Sequence, residues 1–171
     1  MYFIIWLIFL VFIFSLALAG WSFAPWVPAF KKDLPRIANL ADLKPDQKFY
    51  ELGSGTGRIC FYINKVSGSQ AIGLEIGLPL FLISKLKQVL ARNKNVKFKY
   101  RNLFKQNLSD ADVVYLFGIP RTIKDKLRQK LENDLKPGAK VISYAFPIED
   151  WQPEIIDKPG AKDVSIYLYV R

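Results

Sequence analysis

The stretch "FYELGSGTGRIC", Phe49 to Cys60, decides the reading of the fold. A short apolar run ends in the acid Glu51, and Gly53, Gly55 and Gly57 follow at alternate positions. The apolar run "KFYEL" reads as a buried strand and "GRICFYINKVS" as a helix that ends near Gly68. The glycines therefore fall on a strand–turn–helix junction, where a backbone without β-carbons can turn sharply and approach a ligand closely. Cys60, one turn into that helix, reads as a small packing residue.

Downstream, strands and helices alternate. "QAIGLE" is a second strand stopping at Glu75, and "LPLFLISKLKQVLARN" a long helix expected to turn Leu82, Leu86, Val89 and Leu90 inward. "NVKFKYR" and "ADVVYLFG" are further strands, and "PRTIKDKLRQKLENDL" is a helix with proline in its first turn. "KPGAKVISYAF" is a turn and a fifth strand; "PEIIDKPGAKDVSIYLYVR" reads as a hairpin turning at Lys158-Pro159-Gly160. This order predicts an α/β fold: a mostly parallel, Rossmann-like sheet with helices on both faces and a C-terminal antiparallel hairpin. "DLPRIANLADL" ahead of it is a short amphipathic helix. The expected division is 1–21 as a membrane anchor, 22–46 as a linker with the short helix, and 47–171 as one compact domain.

The anchor is expected because no charged side chain occurs from Met1 to Phe30. The apolar run from Tyr2 to Trp21 has the length of a transmembrane helix, with Trp6, Trp21 and Trp26 near its ends. A cleaved signal peptide is the competing reading, since Ala17-Leu18-Ala19 precedes Gly20. The absence of Lys or Arg ahead of a run this long favours the anchor. Lys31, Lys32 and Arg36 follow it and assign the C-terminal domain to the cytoplasmic side of a single-pass protein.

All 25 Lys and Arg lie beyond residue 30, against 15 acids in the whole chain, for a net charge of +10. Between Ile76 and Ser109 there are eight basic residues and no acid. Such a face suits anionic lipid or no partner at all. Nucleic acid is not expected, as no recognised binding motif appears. Histidine is absent and Cys60 is the only cysteine, which excludes a His-based triad and a His or multi-Cys zinc site. No metal is expected.

In an α/β sheet a ligand lies beyond the C-terminal ends of the strands. Glu75 ends the second strand 22 residues after Gly53, where a carboxylate can accept both hydroxyls of a ribose. The constellation therefore suits an adenosine-containing cofactor. A dinucleotide site has the pattern G-x-G-x-x-G, but here the third glycine comes one residue early and Glu51 precedes it. A carboxylate facing the ligand suits a cation better than a pyrophosphate, and S-adenosyl-L-methionine carries a sulfonium and an ammonium.

"ELGSGTG" resembles the E/D-x-G-x-G-x-G motif of the class I, seven-strand S-adenosylmethionine-dependent methyltransferases. The apolar N-terminus, "PWVPAF", "LGSGTGRI", "YLFGIP" and "FPIEDWQP", in order, narrow the resemblance. They are similar to the membrane-anchored protein-lysine methyltransferases of the ATP synthase c subunit and adenine nucleotide translocase type, and to their prokaryotic relatives. The resemblance implies that Glu51, Gly53, Gly55 and Gly57 line the methionine part of the cofactor, Glu75 the ribose and Asn102 the adenine. Asn102 stands where such proteins usually carry Asp, and Thr56 where an acid is common. Phe117, Gly118 and Pro120 match the element facing the target amine, and Pro28 and Trp151 match positions shaping the acceptor channel.

Methyl transfer to an amine is an in-line displacement at a carbon activated by the sulfonium, so alignment and exclusion of water supply much of the rate. The lysine must arrive neutral, which a dry aromatic surround from Tyr115, Phe117, Phe146 and Trp151 would favour. No residue stands out as general base. A lysine of a membrane protein is the expected acceptor. A lipid, quinone or other apolar small molecule is the alternative, and a non-catalytic cofactor-binding module the third reading. The anchor implies the cell membrane in a bacterium or archaeon, and the resemblance implies the mitochondrial inner membrane in a eukaryote.

Overall fold

The structure, a computed structural model, describes residues 2, 6, 10, 27–118 and 120–171. The expected anchor, 1–21, lies almost wholly outside the described residues. Among these, no helix is long and apolar enough to cross a membrane.

Seven strands form one sheet: β1 (Lys48–Leu52), β2 (Gln70–Glu75), β3 (Val96–Tyr100), β4 (Val113–Leu116), β5 (Lys140–Tyr144), β6 (Ile155–Asp157) and β7 (Ile166–Val170). Their spatial order is β3-β2-β1-β4-β5-β7-β6. Strands β1 to β5 run parallel, while β7 is antiparallel to both β5 and β6. The order reverses between β1 and β4, which opens the crevice an α/β sheet uses for its ligand at the C-terminal ends of those strands.

The central strands are near-continuous apolar runs because both sheet faces are covered. Alternate residues of β1 divide between the faces: Phe49 joins the core with α1 (Leu34–Ala41) and α2 (Arg58–Ser67), and Tyr50 and Leu52 join the other. That second core is closed by α4 (Pro120–Thr122), a π-helical stretch (Ile123–Leu127) and α5 (Arg128–Asp134), through Ile123, Leu127 and Leu131. Helix α1, with Pro35 in its first turn, buries Leu34, Ile37, Leu40 and Ala41. Arg36 on the same helix bridges Asp33 (2.8 Å) and Asp157 (2.9 Å) and donates to the Val164 carbonyl. The segment ahead of β1 is thereby stitched to the β6–β7 connection.

Two expectations are corrected. The C-terminal strands are not joined at Lys158-Pro159-Gly160: Asp157 pairs with Ile166, so residues 158–165 form a longer connection, in which Asp163 donates its N–H to the Gly160 carbonyl. Helix α3 (Leu78–Leu90) also faces the other way. It buries Pro79, Leu80 and Ser84, whereas Leu82, Leu86, Val89 and Leu90 are 54% to 73% exposed. Its early turns are apolar all round, so periodicity cannot choose the face that packs. At the sheet edge the helix packs on β3 and β2. The small Ser84 permits close approach there, returning its hydroxyl to the Phe81 carbonyl (2.8 Å).

Candidate active site

Gly53, Gly55 and Gly57 all have positive φ, at 81°, 52° and 78°, the left-handed region where a side chain is costly. The turn is tied down by its neighbours: Gly53 and Ser54 both donate to the Leu74 carbonyl of β2 at 2.9 Å. Phe98 of β3 forms its floor. A β-carbon at Gly57 would overlap the Phe98 ring, and one at Gly73 would sit 2.6 Å from Phe98 Cδ1 and 2.7 Å from Ser54 Cβ. Ser54 Oγ is buried in this turn without a hydrogen-bond partner.

Glu51, at the C-terminal end of β1, is 4% exposed, and its Oε2 accepts the Cys60 N–H from the first turn of α2 at 3.1 Å. Burial pushes its carboxyl up to about 8, against the pull of the Cys60 donors. Among the described residues no Lys or Arg is paired with it. Cys60 is fully buried, and burial with Glu51 alongside holds its thiol well above the usual range, in line with a packing role.

Glu75 is fixed by three backbone donors. Oε2 accepts from Gly55 (2.7 Å), and Oε1 from Ile76 (2.9 Å) and Gly77 (2.6 Å). Burial raises its carboxyl, and those three donors oppose the shift. Oε1 is saturated, leaving one acceptor position on Oε2. Asn102 lies beyond the end of β3 at the same sheet edge, and Arg101 donates to the Glu75 carbonyl (2.9 Å). The Asn102 Oδ1 caps the short turn Leu103–Lys105 by accepting the Phe104 N–H (2.9 Å).

Beyond β4, Phe117 contacts Tyr144 (ring centroids 6.0 Å) and Phe146 (6.1 Å), while Gly118 is buried and Pro120 is exposed at the start of α4. Tyr144, overlooked in the sequence, completes this aromatic set. Its hydroxyl donates to fully buried Asp33 at 2.6 Å, and burial and that bond push its pKa well above the ordinary tyrosine value. Burial does the same to Tyr115, paired with Glu51 in the sheet register. Neither phenol is poised as a base.

Pro28 is exposed, but the next residue, Ala29, is buried and its carbonyl accepts from Arg58 Nη1 at 2.9 Å. That bond holds the "VPA" segment over the start of α2, beside the glycine turn. Trp151, expected in the aromatic surround, makes its own contacts elsewhere. Trp151 packs on Tyr169 (5.7 Å) and donates its indole N–H to Glu132 Oε1 (2.9 Å); among the described residues no ring contact joins it to Phe117 or Phe146. Arg58 stands inside "LGSGTGRI" but had no role assigned to it; Asp33 and Tyr144 carried no motif, and only their positions at the helix start and at the end of β5 hinted at the site.

The profile of the ANTKMT methyltransferase domain family matches residues 51–155, from the carboxylate before the glycines to β6. A protein-lysine N-methyltransferase of Saccharolobus islandicus is 32% identical over 155 residues, 85% of this chain and 92% of that protein. The adenine nucleotide translocase lysine N-methyltransferase of Mus musculus is 30% identical over 84% of this chain, which spans only 62% of the mouse protein's length. Among solved structures, an RNA methyltransferase from Salinibacter ruber in complex with S-adenosyl-L-homocysteine superposes with a TM-score of 0.79 at 30% identity, covering 84% of this chain and 93% of that one. The turn left bare by three glycines, the buried carboxyl ahead of it and the seven-strand order agree with these matches: the chain belongs to the ANTKMT methyltransferase domain family and is an S-adenosylmethionine-dependent methyltransferase.

Proposed function

We propose that this enzyme is a protein-lysine N-methyltransferase, held at a membrane by residues 1–21 and acting on a lysine of a membrane protein. The observation that carries the proposal is the similarity, over 84% to 85% of the chain, to enzymes named for lysine N-methylation. The uncharged run from Met1 to Phe30, followed by Lys31, Lys32 and Arg36, supports the anchor and a cytoplasmic-side domain.

Glu51 receives the cationic methionine end of the cofactor, with Gly53, Gly55 and Gly57 letting the backbone approach it. Glu75 takes a ribose hydroxyl on the acceptor position left on Oε2, and Asn102 the adenine amine on the second lone pair of Oδ1. When bound, S-adenosylmethionine supplies a methyl group already activated by its sulfonium. The chain's own groups then have to position the acceptor amine and keep it neutral. The rings of Phe117, Tyr144 and Phe146 give that amine a dry surround, which lowers an ammonium pKa by desolvation. Gly118, Pro120 and Pro28 border its approach. Trp151 supports the loop after β5 through Glu132 and Tyr169. With both tyrosines held protonated, the amine loses its proton to solvent before transfer. A lipid or quinone acceptor is the second reading, favoured by the membrane setting, and a cofactor-binding module without turnover the third.

The test incubates the detergent-solubilised chain with radiolabelled S-adenosylmethionine and host membranes, with Glu51→Ala and Gly55→Arg as controls. Nuclease treatment and solvent extraction then locate the label. Label in a small membrane protein, lost in both controls, is the expected result. Label in the organic phase moves the acceptor to a lipid or quinone, and nuclease-sensitive label moves it to RNA. Cofactor binding without transfer overturns the enzyme reading in favour of the module.

A further inference from the structure

Helix α3 presents a continuous apolar surface to solvent. At about 100° per residue, Val89, Leu82, Leu86, Leu90 and Ile83 follow one another around an arc of about 120°, and all five are exposed. The core contact beyond the first turn lies on the opposite side, through Leu80, Ser84 and the Phe81 ring tilted against Tyr100 (5.6 Å); Pro79 is buried at the arc's own angle, so the exposed surface begins at Leu82. Lys85 borders the arc on one side and Lys87 on the other. Their hydrogen-bond acceptors, Gln88 Oε1 and the Thr56 carbonyl, are both uncharged. Beyond the helix end come Arg92 and Lys94, and on the neighbouring edge strand Lys97 is exposed. No acid occurs anywhere from residue 76 to 109.

We infer that this face of α3 lies flat on an anionic phospholipid surface, as a second membrane contact distinct from the 1–21 segment. An apolar arc bordered by lysines is the pattern of a helix that buries its apolar side at the headgroup–acyl boundary while its ammonium groups meet lipid phosphates. The charge pattern selects this occupant. A second copy seated on the same face would bring Lys85, Lys87 and Arg92 of two helices together with no acid between them. Helix α3 begins just beyond Glu75, and Lys87 reaches the Thr56 carbonyl at 3.3 Å, so the lipid surface comes to the same sheet edge as the glycine turn. The inference goes beyond methyl transfer and needs no particular acceptor.

The test uses the full chain in lipid nanodiscs with Leu86→Cys carrying an environment-sensitive fluorophore. Cys60 is fully buried and stays unlabelled. Gln129→Cys on α5, across the sheet, is the reference. In nanodiscs of equal phosphatidylglycerol and phosphatidylcholine, the probe at 86 shifts to the blue and is quenched by spin-labelled lipid at least twice as strongly as the probe at 129. Lys85→Gln and Lys87→Gln each lower the engaged-to-free ratio on the order of fivefold, and Leu82→Ser with Val89→Ser abolishes the shift. A solvent-like probe at 86 in anionic nanodiscs overturns the inference. So does a blue shift at 86 in nanodiscs without quenching by spin-labelled lipid: if dilution removes it, a second copy covers the face; if it persists, the chain's own N-terminal segment does. Methyl transfer is not read, so failure here leaves the proposed activity untouched, and failure of transfer leaves this contact standing.

Discussion

Glu75 Oε2 lies 2.7 Å from the amide nitrogen of Gly55, so the acid at the end of β2 is a structural clasp for the glycine turn as well as a candidate ribose acceptor. With Ile76 and Gly77 donating to its other oxygen, Glu75 couples the shape of the turn to the geometry of the site. Replacing Glu75 with Gln puts an amide donor where one set of backbone donors points. Expected cost is about 1–3 kcal/mol for the unsatisfied group. Calorimetry should show S-adenosylhomocysteine binding weakened by about tenfold or more, together with a lower melting temperature. Unchanged binding would remove Glu75 from the site.

The raised Glu51 carboxyl has a pH signature. It titrates near 8 in the fold against an ordinary value of 4.5, so the folded state holds the extra proton between the two. Its contribution to stability is present below 4.5 and is lost as pH rises through about 8. The ligand-free protein should therefore lose melting temperature on going from pH 5 to pH 9. Ligand binding should run the other way, because the cationic methionine end needs the carboxylate: affinity for S-adenosylmethionine rises with pH up to about 8, with proton uptake by buffer. Glu51→Gln should flatten both profiles, and adenosine, which lacks the cation, should show no such dependence.

Gly57→Ala combines a positive φ with overlap of the Phe98 ring. The left-handed conformation alone costs about 1–2 kcal/mol for a residue with a β-carbon, and the overlap adds to it. Urea unfolding should show a loss of ~2 to 4 kcal/mol. Phe98→Leu in the same chain should recover part of it, a coupling visible only in a double-mutant cycle. Strict additivity would mean that the ring is not what the new methyl meets.

Trp151 and Phe117 should separate in kinetics. Trp151→Phe removes the indole N–H from Glu132 and should lower stability by about 1 kcal/mol with little change in methyl transfer. Phe117→Ala opens the aromatic set with Tyr144 and Phe146 and should lower kcat on the acceptor more than it changes cofactor affinity. The reverse pattern would place Trp151 at the acceptor channel.

Tyr144→Phe tests the link between α1 and the site. Asp33 would stay fully buried with Arg36 but without the hydroxyl donor at 2.6 Å. Urea unfolding should show a loss of about 1–3 kcal/mol, and Asp33→Asn in the same background should add to it, because Arg36 then loses a buried carboxylate.

Much of the candidate site's placement was legible because its chemistry is local. Glycines at alternate positions after a buried strand can serve only a bare turn, and an acid ahead of them suits a cation; Glu51, the turn and Glu75 all lie at the ends of β1 and β2 as expected. Tyr144 was not legible, because its ring meets Phe117 only through the parallel pairing of β4 with β5. The indole of Trp151 found Glu132, 19 residues away in sequence, and no spacing rule foretells such a pair.

The sequence by itself determined the order of strands and helices, the glycine turn and the cofactor class, since these follow from backbone sterics and charge within short windows. The tertiary structure alone decided which face of α3 packs, that the acceptors of Glu75 are largely taken by backbone, and that β7 enters between β5 and β6. Each of these depends on what lies opposite a residue in space. A helix that is apolar all round, or a carboxylate with four acceptor positions, holds no record of that in its own window.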